Sequence, residues 1–190
     1  MILSILIPVH ISHLYFLEKL LPYLDEQIKE CRAEKRVEVL NLIDKGEMST
    51  GAKRNLLLKK AKGKFISFVD VDDWVAPYFI KEFLRAARSG ADCVAINGWM
   101  TTDGQKGIKW FLGKDLFNET VIKDGEAVYL RTTNHITMTK RKLALQAGFT
   151  DKYNGEDKDY SVALNPFLMT EYTIEPPMYW YRYISKNKLY

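Results

Sequence analysis

The chain begins with a continuously apolar, β-branched run, I-L-S-I-L-I-P-V at positions 2–9, which predicts a strand buried on both faces and stopped by Pro8. From there the period changes. Leu14, Leu17, Leu20, Leu21, Leu24 and Ile28 recur every three or four positions, the mark of a helix with one buried face, with Ser12 as its N-cap and Pro22 as a kink or break. V-E-V-L-N-L-I (Val37–Ile43) predicts a second strand, left by the loop Asp44-Lys45-Gly46. Ser49-Thr50 then caps a helix over 51–62 that Gly63 closes. K-F-I-S-F-V-D reads as a third strand, a helix runs from Pro77 to Gly90, and D-C-V-A-I-N is a fourth strand.

This β-α-β-α-β-α-β order predicts an α/β fold with a mostly parallel central sheet flanked by helices. Beyond Asn97 the pattern becomes local. G-W-M-T-T-D-G-Q-K-G-I-K-W-F predicts an antiparallel hairpin turning at Asp103-Gly104, followed by a short helix over 125–130, a strand over 135–139 and a helix over 140–147. G-F-T-D-K-Y-N-G-E-D-K-D-Y leads into a last helix ending before Pro166, and Y-T-I-E-P-P-M-Y-W-Y-R-Y is an aromatic, strand-like tail. With 190 residues and no flexible linker, one domain is expected over 1–190.

Open parallel sheets bind ligands outside the carboxyl ends of their strands. Asp44 ends the second strand there, and the cluster F-V-D-V-D-D-W (Phe68–Trp74) ends the third, so acidic residues stand at the ligand-binding edge. Three carboxylates at Asp70, Asp72 and Asp73 repel one another unless a cation or several donors accompany them. Hard divalent cations such as Mg²⁺ or Mn²⁺ take oxygen ligands of this kind, completed by substrate phosphates and water. The plain alternative is one aspartate capping the next helix and the others solvated. Glu156 and Asp157 stand where the last helix starts, and there too a plain reading exists, acids complementing the helix dipole. His10 and His135 read as structural, and packing accounts for most of the aromatic residues.

Composition adds little. The excess of 28 Lys and Arg over 24 Asp and Glu suits an anionic ligand, a nucleic acid or an acidic membrane surface without choosing among them. Cys31 and Cys93 have no metal or redox spacing, no run reaches the ~18 apolar residues of a membrane span, and the apolar start lacks a basic leader. A soluble, cytoplasmic protein is expected, with room for peripheral membrane association.

G-A-K-R-N-L-L-L-K-K-A-K-G-K-F-I-S-F-V-D-V-D-D-W-V-A-P (51–77) resembles the core of the family 2 glycosyltransferases, with their R-N pair, A-x-G-x-aromatic-I strand entry, D-x-D-D and proline. S-I-L-I-P-V-H is similar to that family's first strand, G-E-D-K-D-Y to its E-D motif, and Y-W-Y-R-Y to a segment near its end. The resemblance implies a GT-A fold and transfer from a nucleotide-sugar, more readily a UDP-sugar than a GDP- or dTDP-sugar, with inversion. It implies donor contacts at Pro8, Asp44, Arg54, Asp70, Asp72, Asp73 and Arg182. Asp44 and Arg54 would be near the base or diphosphate, Asp72 would be the main ligand of Mn²⁺ or Mg²⁺, and Asp70 would approach the metal or ribose. Asp157 would be the general base, with Glu156 beside it. Residues 1–100 would form the nucleotide-sugar half and 101–190 the acceptor half. The acceptor would be a hydroxyl of a glycan, a lipid-linked saccharide or another molecule, even a nucleic acid. Here the family's D-G-S-x-D after strand two is replaced by D-K-G-E-M-S-T-G, which leaves the nucleobase open. A phosphohydrolase would need its D-x-D at the first strand with a threonine two residues on, and a nucleotidyltransferase would need glycines after strand one; neither is present. A nucleotide-sugar or glycan binder without turnover remains an alternative.

Overall fold

A computed structural model describes residues 1–183. Its strands are β1 (Leu3–His10), β2 (Val37–Asp44), β3 (Phe65–Phe68), β4 (Trp74–Val75), β5 (Cys93–Thr102), β6 (Ile108–Gly113), β7 (Glu119–Lys123), β8 (Glu126–Thr132), β9 (Thr139–Lys140), β10 (Glu171–Thr173) and β11 (Tyr179–Tyr183). The helices are α1 (Leu14–Glu30), α2 (Thr50–Lys60), α3 (Phe79–Ala86), α4 (Arg141–Ala147) and α5 (Glu156–Leu164). The sheet runs β2-β1-β3-β9-β5-β6-β8-β7, with β10 and β11 also on β5 and β4 on β11. β1 pairs in parallel with both β2 and β3, as the β-α-β order requires, whereas the two-residue β9 enters antiparallel between β3 and β5.

Because successive side chains of a strand point to opposite faces, β1 and β3 feed two cores. Leu3, Ile5, Ile7, Val9 and Phe65 pack with Leu17, Leu20 and Leu24 of α1 and Phe79 and Phe83 of α3. Leu6, Ile66 and Phe68 pack on the other face with Leu57 and Leu58 of α2, Ala144 of α4, and Tyr160 and Leu164 of α5. Pro8 does not stop β1, which stays paired with β2 through His10↔Asp44; beyond Leu6 it is no longer paired with β3, and a proline is tolerated there. Pro22 likewise lies inside α1 without ending it. Gln27 of α1 ties the start of α3 in place, donating to Ala76 O and accepting from Ile80 N–H.

Three local expectations are corrected. Ser12 lies in a single 3₁₀ turn over Ile11–His13, and α1 starts at Leu14 with no side-chain cap. The stretch 125–130 is strand rather than helix: Asp124 and Gly125 both have positive φ, 53° and 78°, and turn a tight hairpin between β7 and β8. The D-G dipeptide within an alternating run carried that signal, just as Asp103-Gly104 does between β5 and β6. Of the strand over 135–139, only Thr139 joins the sheet.

Gly98 sits where β5 is flanked by β6 and β11. A Cβ there would stand 1.9 Å from Tyr179 O and 2.6 Å from Cζ2 of Trp110. Gly98→Ala is therefore expected to destabilise the protein by about 3 kcal/mol through overpacking. For a chain of this size that is a fall in Tm of roughly 6–12 °C, readable by thermal unfolding.

Candidate active site

The polar helix α2 organises the site. Its N-cap is Ser49, whose Oγ accepts from Ala52 N–H at 3.0 Å and donates to Asp151. Gly51 N–H donates to Lys152 O at 3.1 Å, and a Cβ on Gly51 would lie only 1.8 Å from Thr150 O, so backbone meets backbone at that point. One turn on, the Asn55 amide grips Phe149 in both directions, donating to its carbonyl at 2.8 Å and accepting its N–H at 2.9 Å. The loop leading to α5 is thus fastened along one side of α2.

Between these fasteners stands Arg54, 4% exposed. Its Nη2 donates to Oδ1 of Asp70 at 2.8 Å, its Nη1 lies 2.9 Å from Oε1 of Glu156, and its plane sits near the rings of Phe68 and Phe149. Asp70 is engaged on its other oxygen too, by Nε2 of His135 at 3.1 Å. Burial would raise the Asp70 carboxyl, but the charges of Arg54 and His135 overcome it and hold the group well below the usual carboxylate range.

Asp73 turns inward. Its Oδ2 accepts from the Tyr179 hydroxyl and its Oδ1 from Arg182 N–H, each at 2.8 Å. The same hydroxyl accepts Asp70 N–H at 3.1 Å, so one tyrosine ties two of the acids to β11. Burial, with the Asp70 charge beside it, pushes Asp73 up to about 8, against the Arg182 N–H and Tyr179 hydroxyl that favour its charge. Asp72 differs from both: half-buried, its carboxyl has no hydrogen bond to another residue among the described ones. Burial and the Asp70 charge raise it, while His13 and Arg182 pull the other way. The Arg182 guanidinium itself lies over the Phe16 ring.

A cleft of about 560 Å³ opens beside these groups, lined among others by Asp70, Asp73, His135, Asp157, Trp110 and Tyr181. Asp157 is half-buried in the first turn of α5. Glu156 is not free to act there. It is 4% exposed and turned to Arg54, and burial raises its carboxyl against the opposing Arg54 charge. Asp44 and Pro8 lie along the same sheet edge, outside the cleft wall. The Asp44 carboxylate is closed by Lys53 Nζ at 2.6 Å and Met48 N–H at 2.9 Å; burial would raise it, and these two hold it below its ordinary value. The structure therefore joins Arg54, Asp70 and Glu156 directly, lines one cleft with Asp70, Asp73 and Asp157, and does not include Pro8, Asp44, Asp72 or Arg182 in that lining.

Lys53, Asn55 and Tyr179 were not anticipated as members of this network, and His135 reads from sequence as merely structural. One signal was available. The first turns of α2, T-G-A-K-R-N, carry a lysine and an arginine with no apolar residue but Ala52 beside them, both cations are buried, and buried cations need acidic partners.

Comparison with known proteins places this geometry in a group. The family model of glycosyl transferase family 2 matches residues 17–166. Bacillus subtilis EpsH, itself only provisionally named a glycosyltransferase, is 35% identical over 67 residues, which are 35% of this chain and 19% of EpsH. Among solved structures, S. aureus TarS 1–349 in complex with UDP-GlcNAc superposes with a TM-score of 0.67 at 18% identity, covering 100% of this chain and 62% of that one. The catalytic domain of Drosophila β1,4-galactosyltransferase 7 in complex with xylobiose gives 0.57 at 13% identity, covering 93% of this chain and 66% of that domain. At such identities these two show a shared fold. The chain spans less than two thirds of the length of TarS 1–349 and, in the matched stretch, about a fifth of EpsH.

Proposed function

The chain belongs to glycosyl transferase family 2, and from that premise we propose that it moves a sugar from a nucleoside-diphosphate donor, UDP-linked, to an acceptor hydroxyl with inversion at the anomeric carbon. The observation that carries this reading is the Arg54 bridge, which brings the D-x-D-D cluster and the E-D pair to one cleft. The UDP-GlcNAc held by the TarS structure supports the donor, and the xylobiose in the Drosophila enzyme supports a saccharide acceptor. Residues 1–100 form the donor half in this reading, and 101–190, with the aromatic cleft wall, the acceptor half.

Asp157 is the base. It takes the proton of the acceptor hydroxyl as that oxygen bonds to the anomeric carbon, while the bond to the diphosphate breaks and leaves its electron pair on the departing oxygen. Asp70, held ionised by Arg54 and His135, and Asp44, paired with Lys53, fix the negative frame of the donor side. Among the described residues no cluster of three or more His, Cys, Asp or Glu could hold a metal alone. One carboxylate plus donor phosphates is nonetheless a common set for Mg²⁺ or Mn²⁺, and Asp72, with no side-chain partner among the described residues, fits it, with Asp70 beside it. Such a cation would offset charge on the leaving diphosphate. Asp70 and Asp73, each with both oxygens engaged, are better suited to support than to ligation. Among the described residues no helix is long and apolar enough to cross a membrane, and Cys31 and Cys93 are both free thiols, which suits a reducing cytoplasm.

A thermal-shift screen of nucleotides and nucleotide-sugars with and without Mn²⁺ tests the donor. At about 100 times the dissociation constant a true donor stabilises by ~2.7 kcal/mol, and UDP and a UDP-sugar are expected to raise Tm by roughly 5–10 °C. A series in which no nucleotide moves Tm removes this reading.

A further inference from the structure

Arg54 is placed differently from a residue that meets a ligand. It is buried, and its two terminal nitrogens go to two different carboxylates, Asp70 at 2.8 Å and Glu156 at 2.9 Å. Glu156 is buried as deeply as Arg54, so each needs the other's charge. Phe149, close to the guanidinium, stacks on Tyr160 of α5 with ring centroids 4.1 Å apart and planes within 7°. Asn55, the next residue of α2, grips the Phe149 backbone. Glu156 and Asp157 share the first turn of α5, where neighbouring side chains differ in direction by ~100°. Fixing Glu156 against Arg54 therefore fixes the direction in which Asp157 faces the cleft. At the other end, Arg54 and His135 hold the two oxygens of Asp70 from opposite sides.

We propose that Arg54 is a positioning residue that locks the donor-side acid Asp70 and the Asp157-bearing turn of α5 into one rigid unit, without touching donor or acceptor. This rests on the glycosyl transfer proposed above. A lysine cannot replace it, because one ammonium on a flexible stem does not face two separate carboxylates at once, as the two terminal nitrogens of a planar guanidinium do. A shift of about 1 Å in a catalytic group lowers turnover by ~10²-fold.

The test uses the full chain with Arg54→Lys, Arg54→Met, Glu156→Gln and the double variant Arg54→Met/Glu156→Gln, which leaves no lone buried charge between the two positions if a single variant fails to fold. Calorimetry gives donor affinity, steady-state kinetics give kcat and KM, and hydrogen exchange follows the amides of 148–157. Arg54→Lys is expected to keep donor affinity within ~3-fold, to lower kcat by ~10²-fold, and to speed exchange across 148–157. The double variant is expected to be no worse than either single one, because both break the same link. Donor affinity falling as far as kcat/KM would mean that Arg54 touches the donor, and would overturn the proposal. So would additive losses in the double variant, or a lower Tm with unchanged kcat per folded molecule. If the unaltered protein transfers sugar from no nucleotide-sugar, the proposed activity fails, while the exchange data still decide the link: unchanged exchange in Arg54→Lys overturns it.

Discussion

Asp157→Asn is expected to lower kcat by about 10²–10⁴-fold, the usual contribution of a general base, while leaving donor affinity within a few-fold. The amide keeps the size and hydrogen-bonding reach of the carboxylate but cannot take a proton from the attacking hydroxyl. Asp157 lines the cleft in the first turn of α5, with the buried Glu156 beside it held by Arg54, so the substitution should not disturb the fold. The check is a pair of measurements on one preparation: transfer rate at saturating donor, and calorimetric titration with the donor nucleotide. Near-normal transfer would mean that another group removes the proton.

Asp72→Ala acts on the other half of the reaction. Asp72 is the acid of the cluster with no hydrogen-bonded side-chain partner among the described residues, raised by burial and the Asp70 charge, an arrangement that a divalent cation would relieve. The substitution is expected to remove the Mn²⁺-dependent part of UDP affinity, on the order of 100-fold or about 2.7 kcal/mol, with little effect on UDP binding in chelator. Identical titrations of the two proteins in Mn²⁺ would take Asp72 out of the metal role. The two substitutions separate the functions cleanly, since one should abolish turnover with binding intact and the other should weaken binding itself.

Most of the α/β frame was legible before any coordinates. The continuous apolar strands, the helical period of α1, the Ser49 cap and the Asp103-Gly104 turn all follow from local chemistry that each segment carries alone. Errors arose where local signals compete. Ser12 is a good capping residue, but His10 and a 3₁₀ turn engage that segment first. The run after Gly125 contains good helix formers, but the Asp124-Gly125 turn pairs it with β7. Neither Pro8 nor Pro22 breaks its element, because strand pairing and tertiary packing outweigh the local preference.

Local pattern was enough to put acids at the ends of β2 and β3 and at the start of α5, and family resemblance linked them to nucleotide-sugar chemistry. What each acid does with its charge depends on the folded chain. Asp44 is closed by Lys53, Asp70 is shared by Arg54 and His135, Asp73 is drawn inward by Tyr179 and Arg182, and Glu156 is neutralised by Arg54. Asp72 and Asp157 are left without such partners among the described residues. The physical reason is that a carboxylate's role depends on burial and on the donors within about 3 Å, and those donors come from elements far apart along the chain, which no local pattern can assign.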